Sequence, residues 1–566
     1  MIFSGHTLQF VKQLSSAICL ATLIVANLTA QTVGAPEVVV LNATQKNKLR
    51  QTDRLVDQLV RTGQLRLNKI VPDTLIPNRQ HERFSQYHKG LKVYGADVTR
   101  QTETGLTVSI FGQFYPNIKI ETTPSLPLNT IISTVNSGTQ WSLSRDDRQE
   151  LIILKTPTGI FKLAYRLTVG SQIGPSIQFV DAHNGTTVYQ YPGIHLNNDG
   201  LPCDTCRVGE GLGVKGDTKK ISVNTFGGRF QTLDLLRPPK IATYDLKGDW
   251  ERLLDILNNT ELLSAADYGQ DADNQWTDGA VVDGHVSAGW TYDYLYERFQ
   301  RNGLDGRDGP ITTIVHPVNR SDLWSVPDHI FSLFFLNAFY CGVCGPDGMV
   351  VFGEGLPDGF VLTETGQSID FFSGGIDIVS HELAHAITDN TSGLIYQNES
   401  GALNEAFSDI IGVSVEFFMA ETGRHRKENA DYILGEDVVK PNGVRSLADP
   451  LSLNNPDHYS IRYQGTADYG GVHTNSTIAS HAFYLAIEGG TNKTSGVSVS
   501  GVGSHNRWQI EQAFYRAFTM LMPSNSTFSV ARKTTLQSAR DMFGAGHSVE
   551  RAIGEAWSAV GVRPIK

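Results

Sequence analysis

Apolar residues recur with two different periods along the chain. In the stretch GIFKLAYRLTV, every second residue from Phe161 to Leu167 is apolar, which predicts a half-buried strand. Asn184-Gly185 lies between two strand-like runs and predicts a tight hairpin turn. From about residue 376 onward the apolar residues follow the helical period instead, as in RWQIEQAFYRAFTMLM. The pattern therefore predicts an α+β protein that is strand-rich in its N-terminal part and helical in its C-terminal part.

The same patterns divide the chain into four segments. Residues 1–30 form a leader, residues 31–205 a strand-rich module, and residues 206–375 a strand- and loop-rich region with one predicted helix in DGHVSAGWTYDYLYERFQRNG. Residues 376–566 form the helical region. The polar, glycine-rich stretch HLNNDGLPCDTCRVGEGLG joins the module to the remainder, and such exposed linkers are natural processing sites.

The leader has the pattern of a secretory signal peptide. Lys12 precedes an apolar run over residues 14–28, and small residues follow, with Ala30 and Ala35 as possible cleavage positions. A membrane anchor is the alternative, but the run is short and contains two serines and Asn27. We therefore predict secretion to the extracellular medium.

Composition narrows the class of partner. The chain has 566 residues and a formal net charge of −11, which makes nucleic acid an unfavourable partner. Only 19% of residues are charged and 55 are glycine, which is typical of a soluble, loop-rich protein. We expect neither a nucleic acid nor a membrane as partner.

Five cysteines add a second constraint. One lies in the leader, and the other four form two C-x-x-C pairs, Cys203/Cys206 and Cys341/Cys344. Two such pairs can bind a structural zinc ion, but the pairs lie far apart in sequence and secretion favours disulfides. The sequence leaves the pairing of the four cysteines open.

The stretch IDIVSHELAHAITDNTSGLIYQNESGALNEAFSDIIG carries the residues of a zinc site. Residues at i and i+4 of a helix share one face, about 6 Å apart along the axis, so His381 and His385 can bind one cation. Glu405 follows 20 residues after His385 and is the expected third ligand. Glu382 would stand beside the metal and accept a proton from the attacking water. Since H-E-x-x-H also occurs on ordinary surface helices, the motif by itself leaves that alternative open.

Longer motifs remove much of this ambiguity. The zinc stretch, together with LNAFY, GEDV, RSLADP, DHYSIRY, DYGGVHTNS and AWSAVGV in that order, closely resembles the thermolysin-like secreted metalloendopeptidases. The resemblance covers essentially residues 210–566 and implies a two-domain α+β peptidase with the zinc helix between its halves. The strand-rich module resembles the family's inhibitory, folding-assisting propeptide.

The resemblance implies a role for each matching residue. The implied assignments are the zinc ligands His381, His385 and Glu405; the general base Glu382; the ring-orienting residues Asp409 and Asn404; the oxyanion hydrogen-bond donors Tyr396 and His473; Asp468, which would orient His473; and the substrate-binding residues Asn337, Ala338 and Arg445.

Calcium is the second metal that the resemblance implies. One matching site consists of Asp377, Glu416, Asn429, Asp431 and Glu436, and a second of Asp271, Asp273 and Gln275. Oxygen ligands of this kind suit Ca²⁺. Ile433 replaces a carboxylate at the first site, so we expect one calcium ion there rather than two.

The positions that match the family's specificity pocket are all apolar: Ile369, Phe372, Ile378, Leu434, Val438 and Val444. In the family this pocket receives the side chain that follows the scissile bond, so the resemblance implies cleavage on the amino side of bulky apolar residues. Phe372 is bulkier than the leucine common in the family, so we expect a narrowed pocket. The predicted protein is thus a secreted, zinc-dependent, calcium-stabilised endopeptidase made as a zymogen and monomeric when mature. The alternative is a catalytically silent secreted binding protein on the same scaffold.

Overall fold

The structure is a computed structural model that describes residues 39–44, 46–137, 149–156, 160–169, 176–192, 205–345, 347–425 and 430–564. The predicted signal peptide, Cys203 and Asn429 lie outside these residues. Among the described residues, no helix combines the length and the apolar character needed to cross a membrane.

The N-terminal module is built on one large sheet. Its elements are β1 (Val39–Ala43), α1 (Lys46–Arg61), β2 (Leu65–Pro72), β3 (Arg79–His88), β4 (Leu91–Glu103), β5 (Leu106–Phe114), α2 (Leu128–Ser137), β6 (Glu150–Lys155), β7 (Phe161–Val169), β8 (Ser176–Asp181) and β9 (Thr187–Pro192). The strand order is β1-β5-β4-β6-β7-β8-β9, with β3 also pairing β4 and β2 pairing β3. The predicted strand over residues 161–167 and the hairpin at Asn184-Gly185 are confirmed, since β8 and β9 pair antiparallel across that turn.

The middle region contains two five-stranded sheets. Its elements are β10 (Cys206–Leu212), β11 (Thr218–Phe226), β12 (Arg229–Gln231), β13 (Leu233–Asp234), β14 (Ile241–Asp245), α3 (Trp250–Leu257), β15 (Gln270–Asp271), β16 (Gln275–Trp276), α4 (Gly279–Phe299), β17 (Ile311–Val315), α5 (Asp328–Phe334), β18 (Ala338–Cys341), β19 (Met349–Phe352) and β20 (Ser368–Ile369). In the sheet ordered β13-β14-β17-β19-β18, the strand β18 pairs antiparallel with β19 and forms an edge. Helix α4 is the predicted helix; α3 and α5 were not predicted, because runs of 8 and 7 residues are too short to show a helical period.

The C-terminal region is mostly helical, as predicted. Its elements are α6 (Ile376–Asn390), α7 (Asn398–Glu421), β21 (Ile433–Leu434), β22 (Val439–Lys440), β23 (Arg445–Ser446), α8 (Asp468–Glu488), β24 (Gly490–Thr491), β25 (Ser498–Val499), α9 (Arg507–Arg516), α10 (Phe528–Phe543) and α11 (Ser548–Ala559). A π-helical turn over Ala517–Leu521 continues α9. The mixed content of strands and helices confirms the α+β prediction.

Two apolar clusters hold these regions together. The larger one joins α4 of the middle region to α6, α7 and α8, so the two halves of residues 206–564 share a core. The second contains Phe179 and Ile152 of the N-terminal module together with Leu253 and Phe334 of the middle region. The module therefore packs against the rest of the chain through buried apolar side chains.

Candidate active site

Two helices bring the predicted metal ligands together. Helix α6 presents His381 and His385 on one face, and α7 returns alongside it to present Glu405. The helices approach closely because Gly412 has no side chain: a Cβ there would lie 2.6 Å from the backbone oxygen of Asp377. All three ligand residues lie within a few ångströms of one another, and their ligand atoms are within 4.8 Å.

The spacing of these atoms fits a tetrahedral cation. The Nε2 atom of His381 lies 3.5 Å from Oε2 of Glu405, and the Nε2 atom of His385 lies 3.5 Å from its Oε1. Ligands at about 2.0–2.1 Å from a zinc ion at the centre of a tetrahedron are about 3.3–3.4 Å apart. A direct N–H···O hydrogen bond would instead bring the atoms to about 2.9 Å. The distances therefore leave room for a metal ion between the ligands.

The carboxylate of Glu405 supports the same conclusion. Its side chain is buried, and within the described part of the chain its Oε2 atom has no hydrogen-bond partner. Burial would raise the pKa of Glu405, but the nearby positive charge of His473 and the close imidazole of His381 outweigh burial and hold the pKa well below its usual range. A buried, ionised carboxylate with an unused oxygen is an expected ligand for a cation.

Residues behind the two histidines orient their rings. The Nδ1 atom of His381 lies 3.0 Å from Oδ1 of Asp409, and Nδ1 of His385 lies 2.9 Å from Oδ1 of Asn404. Burial would lower the pKa of His381, but the carboxylates of Asp409 and Glu405 raise it to about 10. These contacts leave both Nε2 atoms facing Glu405, which is the usual arrangement around a histidine-bound metal.

Arg445 is buried behind this centre. Its Nε and Nη2 atoms donate to Asp409 at 3.0 and 2.7 Å, and Nη2 lies 3.6 Å from Glu405. Burial would raise the pKa of Asp409, but the charge of Arg445 outweighs it and lowers the pKa. The sequence analysis assigned Arg445 to substrate binding and did not predict this ion pair. Asp409 therefore contacts both Arg445 and His381.

A second set of side chains faces the metal ligands across the cleft. Nε2 of His473 lies 3.5 Å from Oε1 of Glu405 and 3.1 Å from the hydroxyl of Tyr396, while its Nδ1 lies 2.6 Å from Asp468. The Tyr396 hydroxyl also donates to Glu405. Burial and the charge of Glu405 raise the pKa of Tyr396 well above its usual range, so the phenol keeps its proton.

A tight turn at the start of α8 places His473. Asp468, Tyr469, Gly470 and Gly471 all have positive φ, at 52°, 49°, 92° and 79°. Two consecutive non-glycine residues in the left-handed region are costly, which is typical of functional sites. The turn lets the backbone amide of His473 donate to Asp468 while the ring of Tyr469 packs against Tyr396.

These groups line one cleft of about 1070 Å³. Glu382, Asn337 and Ala338 line it, together with the metal ligands, Tyr396 and His473. Tyr469 also lines it and was not predicted, although it lies within the quoted motif DYGGVHTNS. Five residues of the N-terminal module also line the cleft: Lys92, Tyr94, Glu150, Arg166 and Ile177.

Apolar side chains form one wall of the cleft. Five of the six predicted pocket residues belong to it: Ile369, Phe372, Ile378, Leu434 and Val444. Val438 does not, and this prediction needs correction: its side chain packs at Gly374 in the core, and Val439 lines the cleft instead. Successive side chains of an extended chain point in opposite directions, so only one of the two valines can face the cleft.

A separate cluster of acidic side chains surrounds Asp377 and Glu416. Asp377 and Glu416 are buried, and Asp431 and Glu436 are close enough to perturb them. Burial, followed by the charge of Asp377, raises the pKa of Glu416 well above its usual range, and the same causes raise that of Glu436 to about 9. Within the described residues, one oxygen of Glu416 and one of Glu436 lack a hydrogen-bond partner. Like charges in this arrangement are stable together when a cation neutralises them.

Sequence reasoning missed two members of this cluster. Asp437 and His425 offer ligand atoms within 4.8 Å of each other and of Glu416. Asp437 lies in the GEDV motif next to Glu436, which was a usable signal, whereas nothing in the sequence around His425 points to the cluster.

The smaller predicted calcium loop is exposed. Asp271 accepts hydrogen bonds from the amides of Asp273 and Asn274, and Asp273 accepts one from the amide of Gln275 at 3.0 Å. The three predicted residues therefore share one tight loop between β15 and β16.

One of the two C-x-x-C pairs is resolved as a disulfide. Cys341 and Cys344 are bonded to each other at the end of the edge strand β18. Cys206 is also disulfide-bonded. Disulfides rather than a shared structural zinc are therefore confirmed for the described cysteines.

Comparison with protein families gives three matches that follow the chain in order. Residues 79–114 match the "Fungalysin/Thermolysin Propeptide Motif". Residues 208–389 match "Thermolysin metallopeptidase, catalytic domain", and residues 392–562 match "Thermolysin metallopeptidase, alpha-helical domain".

Individual proteins match over most of their length. The chain is 34% identical to a bacillolysin of Brevibacillus brevis over 503 residues, which cover 86% of this chain and 82% of the relative. It is also 34% identical to a thermolysin of Alicyclobacillus acidocaldarius subsp. acidocaldarius, over 85% of this chain and 83% of the relative. Among solved structures, the precursor of protealysin from Serratia proteamaculans is 27% identical, with a TM-score of 0.42 over 57% of this chain and 87% of that chain.

Proposed function

The chain belongs to the thermolysin family of metallopeptidases, and from this premise we propose that it is a secreted zinc endopeptidase made as a zymogen. The family is zinc-dependent, and the chain carries a propeptide motif ahead of its peptidase. The observation that carries the proposal is the 3.5 Å spacing of the His381 and His385 nitrogens from the two oxygens of Glu405.

Glu382 is the proposed general base. When bound by His381, His385 and Glu405, zinc supplies Lewis-acid polarisation of the peptide carbonyl and lowers the pKa of water. The carboxylate of Glu382 lines the cleft beside these ligands. It accepts a proton from the attacking water and delivers it to the leaving amine, so no nucleophilic serine or cysteine takes part.

Tyr396 and His473 are the proposed donors to the developing oxyanion. Both side chains line the cleft beside Glu405, and the raised pKa of each favours the protonated, donating form. For His473, burial would lower the pKa, but the charges of Glu405 and Asp468 raise it. Hydrogen bonds aimed at charge that develops in the transition state contribute a large share of catalysis.

The apolar wall supports a preference for cleavage on the amino side of Leu, Phe, Ile or Val. Burying such a side chain against Phe372, Ile378 and Leu434 contributes roughly 1.5–3 kcal/mol. A charged side chain would lose its hydration without gaining a partner there. Asn337 and Ala338 would align the substrate along the edge strand β18.

Maturation is proposed to occur between about residue 190 and residue 215. The match to the catalytic domain begins at residue 208, which supports this boundary. The module over 31–205 then acts as propeptide and inhibitor, and its residues along the cleft support that role. After removal of the leader at 1–30 and of this module, the mature peptidase would comprise the two parts 206–375 and 376–566 and act as a monomer.

Calcium is proposed to bind the carboxylate cluster of Asp377, Glu416, Asp431 and Glu436, and the loop of Asp271, Asp273 and Gln275. Adding Ca²⁺ to protein stripped with a chelator should raise its thermal unfolding midpoint. Glu416→Gln should remove most of this gain, whereas Glu421→Gln, at an exposed position on the same helix, should retain it. Equal gains in the two variants would contradict the assignment.

Two measurements test the catalytic proposal. Hydrolysis of casein should stop after chelation and return when zinc is restored in the presence of calcium. Glu382→Gln should retain bound zinc and lose about 10²–10⁴-fold in turnover, because an amide cannot accept the proton. Near-normal turnover in the Gln variant would contradict the base assignment.

The alternative function is a catalytically silent binding protein on this scaffold. It would keep the cleft and bind peptides without cutting them. Because His381, Glu382, His385, Glu405 and His473 are all present, the peptidase is favoured. Tight peptide binding without cleavage by zinc-loaded, fully processed protein would support the alternative.

A further inference from the structure

The N-terminal module touches the peptidase at a second polar contact that does not line the cleft. Arg516, at the end of α9, is buried beneath strands β3 and β4 and the segment before them, and Asp541, in α10, is partly buried beside it. We call the residues at this contact the anchor network: Asp73, Arg79, His81 and Gln101 of the module, with Arg516 and Asp541 of the peptidase.

Arg516 is the centre of the network. Its Nε atom lies 2.8 Å from Oδ2 of Asp73, and its Nη1 lies 3.0 Å from Oδ2 of Asp541. Its remaining nitrogen, Nη2, donates to Gln101. The side chain is completely buried, so removal of the module would expose it and take away two of its three partners.

Asp541 completes the contact from the peptidase side. It accepts a hydrogen bond of 3.0 Å from Nε2 of Gln101 and lies 3.3 Å from Nη1 of Arg79. The two peptidase residues therefore each pair with two residues of the module. Buried ion pairs with several partners are strongly destabilised when one partner is removed.

Further contacts extend the same surface. Arg83 donates to the carbonyl oxygens of Thr519 at 2.8 Å and Met522 at 3.3 Å. Asp97 accepts from the amide and the hydroxyl of Ser524 at 3.0 and 2.7 Å. All of these partners belong to the segment between α9 and α10, so one continuous face of the peptidase holds the module.

His81 is the titratable group inside this contact. Its ring is fully buried, and Nε2 lies 2.9 Å from the same Oδ2 atom of Asp73 that pairs with Arg516. The charged groups that face it are Asp73, Arg516 and Arg83. A protonated His81 would place a second positive charge beside a carboxylate that Arg516 already engages.

The docked state therefore favours a neutral His81. Burial lowers the pKa of His81, and the charge of Arg516 lowers it further, while the hydrogen bond with Asp73 only partly offsets these effects. Once the module leaves the peptidase, the imidazole is hydrated and its pKa returns towards about 6.5.

We propose that the face formed by Arg516, Asp541 and the segment between them holds the cleaved propeptide on the peptidase, and that protonation of His81 releases it. The inference rests on the proposed zymogen function and names its regulation: acidification would convert an inhibited, cleaved complex into free enzyme.

The direction with pH follows from linkage. The released module binds one more proton than the docked module, so docking is strongest above about pH 6.5 and weakens as the pH falls below that value. One proton corresponds to at most about a tenfold weaker complex per pH unit. Hydrogen bonds from His81 and Leu75, together with the charge of Arg516, hold the pKa of Asp73 far below its usual range despite burial, so Asp73 does not titrate in this window.

The test uses the full chain carrying Glu382→Gln, with the recognition sequence of an unrelated site-specific protease inserted between residues 193 and 204. After cutting by that protease, gel filtration at pH 8 and at pH 5 measures how much propeptide stays with the peptidase. We expect co-elution at pH 8 and at least tenfold weaker retention at pH 5.

Three variants distinguish release caused by the anchor network from a general effect of low pH on the complex. Arg516→Gln should lose the propeptide at both pH values, and His81→Gln should give equal retention at both. His183→Gln replaces an exposed histidine of the same module and should behave like the parent chain. Equal retention of the parent at the two pH values, or the same loss in His81→Gln, would overturn the proposal.

A second measurement covers the case in which His81→Gln does not fold. Calorimetry of dissociation at pH 6 in buffers of different ionisation enthalpy counts the protons taken up. Uptake of about 0.8 proton supports the proposal, and uptake near zero overturns it. Self-cleavage of the Glu382→Gln chain would contradict the proposed general base instead, so the two failures are distinguishable.

Discussion

The metal centre and the anchor network are both buried clusters of histidine, arginine and carboxylate side chains, yet their distances differ. In the metal centre, the nitrogens of His381 and His385 stay 3.5 Å from the oxygens of Glu405. In the anchor network, Arg516 and His81 approach Asp73 to 2.8 and 2.9 Å. The first distance is that of two ligands around an ion, and the second is that of a direct hydrogen bond.

The comparison shows that burial and residue type do not by themselves identify a metal site. Glu405 and Asp73 are both buried, and both have a lowered pKa because positive groups surround them. What distinguishes Glu405 is an oxygen without a hydrogen-bond partner among the described residues, whereas both oxygens of Asp73 are engaged. The unused oxygen marks the place of a ligand that is not part of the chain.

The largest expected effect comes from removing a ligand of the metal centre. Glu405→Gln should abolish stoichiometric zinc binding and reduce turnover by at least about 10³-fold, since the metal supplies several kcal/mol of transition-state stabilisation. Metal analysis of the purified variant and casein hydrolysis measure the two effects. Glu421→Gln, on the same helix but exposed, should change neither; full zinc occupancy in Glu405→Gln would remove Glu405 from the ligand set.

The next largest effect comes from removing the arginine at the centre of the anchor network. Arg516→Met should lower the unfolding free energy of the uncut chain by about 3–5 kcal/mol, because it leaves Asp73 and Asp541 buried with fewer partners. Zinc content should not change. The control Arg424→Met, at an arginine whose side chain is 40% exposed, should cost at most about 1 kcal/mol. Equal losses in the two variants, measured by denaturant unfolding, would show that burial of the pair is irrelevant.

A third cluster, around His316, tests whether these distances distinguish a direct ion pair from a metal site. His316 lies 3.1 Å from Glu354 through Nδ1 and 3.1 Å from Asp278 through Nε2, so the criterion classifies it as a direct ion pair. Burial would lower its pKa, but these two carboxylates raise it to about 10. The ion pairs of His316 therefore stabilise the folded protein fully below about pH 6.5, the pKa of an unfolded histidine. This stabilisation is lost as the pH rises towards 10.

The corresponding measurement is the difference in unfolding free energy between the parent chain and His316→Gln. This difference should be largest below pH 6.5 and shrink steadily up to pH 10. His329→Gln, at an exposed position, should change the unfolding free energy only slightly. A constant difference for His316→Gln, or one that grows with pH, would contradict the ion pair.

The smallest expected effect concerns the apolar wall beside the metal centre. Phe372→Leu should enlarge the pocket and increase cleavage before Phe relative to Leu by a few-fold, since each buried CH₂ is worth about 0.8 kcal/mol. Mass spectrometry of a digested peptide library gives the ratio. Val438→Ala, at the neighbouring core position that does not face the cleft, should leave the ratio unchanged, and an unchanged ratio in Phe372→Leu would show that Phe372 only supports the core.

Much of the fold and of the cleft could be predicted because the signals are local. The period of 3.6 residues in α6 and α7 and the Asn184-Gly185 turn depend on neighbours in sequence. The family motifs then predicted the division into a strand-rich and a helical part, which the matches to the two peptidase domains confirm.

The unpredicted features depend on contacts between distant residues. Arg516 and Asp73 are separated by 443 positions, and neither lies in a motif. The pairing of Arg445 with Asp409 spans 36 positions and was hidden behind the role that the motif suggested for Arg445. The sequence analysis placed Val438 rather than Val439 in the cleft wall, because a sequence match does not give the direction of a side chain in a short strand.

The position of β18 at the end of its sheet has a consequence for the proposed substrates. An edge strand offers unpaired backbone groups, and a chain that binds along it must itself be extended and unpaired. Segments of folded proteins rarely meet this condition, because their backbone groups are already bonded in helices and sheets. With substrate aligned along β18 as proposed, we expect loops, termini and unfolded chains to be cut, and compact domains, including the mature enzyme, to be spared.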